Sequence, residues 1–186
     1  MDRFASMEKS ISQYRKERKN EKREYLNSKY EMLSSSLMDT LNGLAQEIDE
    51  QRIIKYITFQ RLLSCERTGS YEIYVGMSAA MLYLDEEMEH AFWKPELLHE
   101  DMDKAMQDIE KILGKEYIHI EEYELLYLRQ KLLLDDWKLL VEMLKKMTGN
   151  IAENIMKNPL KLEDEIEILC GNYMDRLNVI YKAKTN

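Results

Sequence analysis

The sequence predicts an all-α fold, an up-and-down bundle of five or six amphipathic helices led by a long N-terminal helix. Three observations predict it. Six Gly and two Pro in 186 residues leave little material for the tight turns of a β fold. Apolar side chains recur at spacings of three and four along most of the chain, the period of a helix with one buried face. The breaks between these stripes are short and carry helix-stop and helix-start residues, so consecutive helices become antiparallel neighbours. With 45% hydrophobic and 33% charged residues, the chain has enough apolar material for a core and does not have the composition of a disordered protein.

The elements follow in order. Phe4, Met7, Ile11 and Tyr14 form a short stripe. Residues 15–24, RKERKNEKRE, contain no apolar side chain, so a helix there presents no greasy face to a core. The expectation is a basic, weakly packed N-terminal arm over 1–24 and a single helical-bundle domain over 25–186. The stripe resumes as Tyr30, Leu33, Leu37, Leu41, Leu44 and Ile48, with Gly43 as a candidate kink. Ile53, Ile54, Tyr56, Ile57, Phe59, Leu62 and Leu63 then cover most of a helix circumference, which reads as a centrally buried segment. Unbroken from 22 to 64, such a helix would be about 65 Å long at ~1.5 Å per residue.

Thr68-Gly69-Ser70 supplies a stop and a new N-cap. The next stripe is Tyr74, Met77, Met81, Leu84 and Met88, ended by Trp93-Lys94-Pro95. Leu98, Met102, Ala105, Ile109 and Ile112 mark a fourth helix closed by Gly114. Tyr123, Leu126, Leu133, Trp137, Leu140, Leu144 and Met147 mark a fifth over 119–148, with Gln130 as a polar register residue on the seam and Gly149 as a possible break. Asn158-Pro159 starts a last helix along Leu162, Ile166, Leu169, Tyr173, Leu177 and Ile180. This pattern predicts more than about 70% helix, against about one third in ordinary proteins.

Charge is unevenly distributed. The formal net charge is -8, yet residues 1–30 carry nine basic and five acidic residues. Residues 85–124 carry fourteen acidic residues and four Lys, a net of -10. A body of that sign repels phosphate backbones and anionic lipid, so neither nucleic acid nor membrane is an expected partner of the main domain. A basic protein partner fits better, and Asp101, Asp103 and Asp108 are its candidate contacts. The stripe Phe4, Met7, Ile11 and Tyr14 is a candidate for pairing with a second chain. Two isolated cysteines, Cys65 and Cys170, form no disulfide framework, and the chain opens on Met1-Asp2-Arg3-Phe4 without a signal-peptide run, so a cytoplasmic location is expected.

Every histidine follows a Glu at three residues: Glu87 with His90, Glu96 with His99, Glu116 with His119. On a helix this spacing puts both side chains on one face, as in metal-binding bundles. The pairs Glu87–His90 and Glu96–His99, brought together by a corner at Pro95, are the candidate metal ligands. Ten Glu among residues 85–124 also make such spacings common by composition. Asp135-Asp136 has half the look of a magnesium motif, but without further ligands nearby it reads as a solvated helix face. No phosphate-loop, nucleophile-elbow or zinc-protease motif occurs, so no catalytic residue and no cofactor are expected. The expected function is non-enzymatic, through protein contacts, as a self-associating bundle or a subunit of a larger assembly. The alternatives are an acidic, immunity- or antitoxin-like protein covering a basic target, and a metal-binding bundle.

Overall fold

A computed structural model describes residues 3–65, 71–80, 82 and 89–185. It overturns the all-α expectation. The fold is mixed α/β, 56% helical and 23% strand, and the described residues hold five helices and a five-stranded sheet. The helices are α1 (Arg3–Ser10), α2 (Ser12–Ser28), α3 (Tyr30–Glu47), α4 (Met102–Leu113) and α5 (Glu122–Lys157). The strands are β1 (Ile53–Arg61), β2 (Ile73–Ser78), β3 (Glu89–Trp93), β4 (Lys161–Asn172) and β5 (Asn178–Lys184). Two compact units share the chain: Met1–Lys29 with Glu96–Leu140, and Tyr30–Pro95 with Val141–Asn186. The first is helical and the second holds the sheet. This division replaces the expected single bundle over 25–186.

Each strand replaces a segment whose helical stripe was misleading. Apart from Lys55, Ile53 to Phe59 is a run of β-branched and aromatic residues, which suits a pleated surface better than a helix. In β1 the alternation puts Ile57 and Phe59 on one face and Thr58 and Gln60 on the other, all without exposed surface. Every residue of β2 is buried, so its Tyr74–Met77 spacing carries no helical information. In β4, Ile166 and Ile168 alternate with Glu165 and Glu167, a period of two lying under the coarser stripe. In the hairpin from β4 to β5 the left-handed position is taken by Met174, with a φ of 57°, Asn172 and Asp175 stabilise the turn, and a single glycine, Gly171, lets the Arg176 carbonyl approach to 2.9 Å of where a Cβ would sit. Scarcity of Gly therefore did not exclude strands.

The sheet order is β3-β2-β1-β4-β5. Its central pair, β1 and β4, is parallel, and the other neighbours are antiparallel. One face is apolar: Trp93, Ile73, Val75, Met77, Ile57, Phe59, Ile166 and Ile168 lie on it by register and are all buried. In the same unit Leu33, Leu37, Leu41 and Leu44 of α3 are buried, and Trp93 Nε1 donates to Ser36 Oγ at 3.1 Å. Trp93 is 1% exposed, so Trp93→Ala is expected to cost about 3–5 kcal/mol in a denaturant melt.

Helix boundaries also differ from expectation. The long helix from 22 to 64 is absent: α2 ends at Ser28, α3 ends at Glu47, and Gly43 lies inside α3 with open space beside it. In α5 the helix continues through Gly149, and Tyr123 and Leu126 of the expected seam are exposed. Leu128, Leu132, Leu139 and Met143 are buried instead, beside Leu133, Leu140 and Leu144. Gln130 is half-buried. Among the described residues no helix is long and apolar enough to cross a membrane.

Candidate functional site

In the helical unit the basic segment is part of the interior. Met7 and Ile11 have no exposed surface, Leu26 is 1% exposed, and Arg18 and Lys22 lie on the same inward side of their helix at four-residue steps from Leu26. The two cations sit where a core helix would carry Leu, and carboxylates meet them. Arg18 Nη1 and Nη2 donate to Asp136 Oδ1 and Oδ2 at 2.8 and 3.0 Å, and Arg18 Nε donates to Asp101 Oδ2 at 2.7 Å. Lys22 Nζ donates to Asp136 Oδ2 at 3.1 Å and also to Asp101. Asp136 has no exposed surface, and His99 Nδ1 lies 3.5 Å from its Oδ2. Beside this cluster Arg15 Nη2 bridges to Asp135 Oδ2 at 2.6 Å.

These placements correct several expectations. The segment over 1–24 is not weakly packed, because paired guanidinium and ammonium groups can be buried when carboxylates replace their water. Met7 and Ile11 are covered within the chain, and Phe4 lies against Tyr127 with ring centroids 4.5 Å apart, so the stripe is not left for a second copy. Tyr14 is half-buried, its hydroxyl 3.5 Å from the Ala105 carbonyl. Asp135-Asp136 is no solvated face. Asp101 is held by Arg18 and Lys22, while Asp103 is exposed and Asp108 lies 3.3 Å from Lys111. Part of the acidic stretch is thus neutralised by the chain's own basic segment.

The electrostatics follow from this geometry. Burial disfavours the charged form of Asp136, but the His99 ring 3.5 Å away, the hydrogen bonds from Arg18 and the field of both cations outweigh it and hold its carboxyl at about 2. Asp101 is lowered as well, by Lys22 and Arg18 against its partial burial. His99 is lowered below its ordinary 6.5, chiefly by burial and further by Lys22 and Arg18, against the pull of Asp136. The unfolded chain therefore takes up the histidine proton first. Stability is expected to fall as pH drops below about 6.5, and again from about 3.8 downward as Asp101 and Asp136 protonate. Urea melts against pH should show both limbs, and His99→Gln should remove only the upper one.

The expected metal ligands do not assemble. His90 is on β3 in the sheet unit, where strand geometry cancels the helical reason for pairing it with Glu87, and Glu87 lies outside the described residues. Glu96 opens a 3-10 turn (Glu96–Leu98) and His99 faces Asp136, both in the helical unit. His119 is exposed 3.1 Å from Glu121. Among the described residues no group of three or more His, Cys, Asp or Glu side chains could hold a metal ion.

The second face of the sheet carries a different feature. Tyr74 of β2 is opposite Phe92 and Gly76 is opposite His90 in register, so Tyr74, Phe92 and His90 share this face. Tyr74 is the hub of an aromatic cluster: His90 stacks on it at 4.9 Å, Phe92 meets it edge-on at 5.9 Å, and Tyr173, just past β4, lies at 5.1 Å. The hub is 6% exposed, whereas Phe92 is 47% and Tyr173 41% exposed and His90 is exposed. Beneath the rings the face is polar and closed, with Gln60 Nε2 donating to Thr58 Oγ1 at 3.1 Å and Thr58 donating to the Gly76 carbonyl at 3.4 Å. A firmly seated tyrosine thus carries three rings whose outer surfaces meet solvent. Sequence reasoning missed this cluster because its period-two signal, Tyr74 with Gly76 and His90 with Phe92, lay inside segments read as helix. The chain matches no protein-family model, no curated protein and no solved structure.

Proposed function

We propose that this protein acts without catalysis, by binding another protein through the aromatic cluster of Tyr74, His90, Phe92 and Tyr173. The observation that carries the reading is the partial exposure of Phe92 and Tyr173 around a buried tyrosine. Rings held by their neighbours lose little conformational entropy when a partner covers them, and aromatic residues of this kind dominate the energetics of protein interfaces. The buried charged groups of the helical unit support the same reading, since Arg18, Lys22, Asp101 and Asp136 bind one another in the folded chain. Cys65 and Cys170 are buried free thiols, Cys170 pushed up to about 12 by burial, which suits a structural role in a reducing compartment such as the cytoplasm.

The test is affinity capture from the source cells with the wild-type chain and with the double variant Phe92→Ala, Tyr173→Ala. Both side chains are about half exposed, so the double variant should keep its fold, losing on the order of 1 kcal/mol per aromatic pair. A stoichiometric partner captured by the wild type and lost from the folded variant is the expected result. Equal capture by both chains removes the aromatic cluster from the interface.

A further inference from the structure

Building on that reading, we infer that the partner is an extended segment bearing Lys or Arg, which adds as a sixth strand along the outer edge of β3. Two independent features of the sheet lead there. The first concerns its edges. Among the described residues β3 pairs with β2 and no strand pairs with it on its other side, so the alternate backbone groups that point away from β2 have no strand partner. The opposite edge, β5, carries Lys182 and Lys184, the residues that guard an edge against unwanted pairing, with Lys182 also bridged to Glu165 and Glu167. Residues 89–93 of β3, Glu-His-Ala-Phe-Trp, contain neither lysine nor proline.

The second feature is charge. The residues of the sheet unit number eighteen acidic and twelve basic. In sequence, residues 85–89 leading into and opening β3 are four acids and a methionine. Of the bases near the ring cluster, Lys94 is bridged to Glu72 at 2.7 Å and Arg61 Nε donates to Asn172 Oδ1 at 3.2 Å. A strand laid beside β3 places every second side chain on the face that holds His90 and Phe92. A cationic side chain there meets the negative faces of the rings within an acidic unit, whereas a carboxylate meets repulsion. Backbone pairing supplies the docking direction, and the rings with the surplus charge select the side chain.

The experiment uses the full chain and fluorescent decapeptides of alternating Lys and Val, of alternating Glu and Val, and of alternating Lys and Val with every second amide N-methylated. Anisotropy is expected to show the Lys peptide binding at least about tenfold tighter than the Glu peptide and the N-methylated one. Phe92→Ala should weaken it by about tenfold, Val179→Ala on the far edge should not, and hydrogen exchange should show new protection in β3 and none in β5. Equal binding of both signs, binding that survives Phe92→Ala, or undiminished binding of the N-methylated peptide overturns the proposal. A decauridylate that binds through Phe92 in place of the peptides assigns the rings to base stacking and overturns it too. Failure of all three peptides while capture still depends on Phe92 and Tyr173 removes strand addition and leaves the protein-contact reading standing. Loss of that dependence removes the contact reading itself.

Discussion

A chain that begins at residue 25 is expected to lose the fold of its helical unit. Truncation removes Met7 and Ile11, each fully buried and worth about 1.5–3 kcal/mol of burial. It also removes Arg18 and Lys22, leaving Asp136 in the interior without its two cations, at a further cost of about 3–5 kcal/mol. The sum is comparable to the whole stability of an ordinary domain, about 5–15 kcal/mol. Circular dichroism of the truncated chain should show helix lost well beyond the deleted residues, and the thermal transition of the helical unit should disappear. The lack of any apolar side chain in residues 15–24 leads to the opposite expectation, that removal leaves melting almost unchanged. An unchanged melting temperature would mean that the cations are held at the surface.

Asp136→Ala is expected to cost about 3–5 kcal/mol by urea denaturation, the largest effect of any single replacement in the cluster. Its carboxylate has no exposed surface and accepts both Arg18 nitrogens and Lys22, so its loss strands two buried cations. Asp101→Ala should cost much less, about 1 kcal/mol, because its side chain is 38% exposed and water can replace it. A double-mutant cycle between Arg18 and Asp136 should return a coupling on the order of 1–3 kcal/mol. Additive effects at these two positions would show that the bidentate pair does not form in solution.

These two results bear on how much of the molecule can be read from its residues. The fourth helix was legible: Met102, Ala105 and Ile109 are buried as their spacing requires, and Gly114 follows the last turn. So was half of the fifth, where Leu133, Leu140, Leu144 and Met147 face the interior. The strands were not, because spacings of three and four in Leu162, Ile166 and Leu169 coexist with alternation in Glu165, Ile166, Glu167 and Ile168, and only tertiary pairing decides between them. The hairpin at Met174 shows a second reason, a turn whose left-handed residue is not glycine.

The ionic cluster was hidden by a rule that holds for single residues and fails for pairs. Arg18 and Lys22 are excluded from a core only while their counter-ions are unknown, and Asp101 and Asp136 are 83 and 118 residues from Arg18. A trace existed nonetheless, since Arg18, Lys22 and Leu26 repeat at four residues. The aromatic cluster had a trace too, in the alternation of His90 and Phe92 before Trp93, but its hub Tyr74 comes from a neighbouring strand. Register is what brings the rings together.

The partner is expected to contact the aromatic face of the sheet and not the acidic face of α4. Site-specific photocrosslinking in the source cells tests this, with a benzophenone amino acid placed at Phe92, at Asp103, or at Asp108. One discrete protein adduct is expected from position 92 and none from 103 or 108. An adduct that forms from 103 or 108 while position 92 stays unlinked would contradict it, and would return the interface to the acidic face of α4.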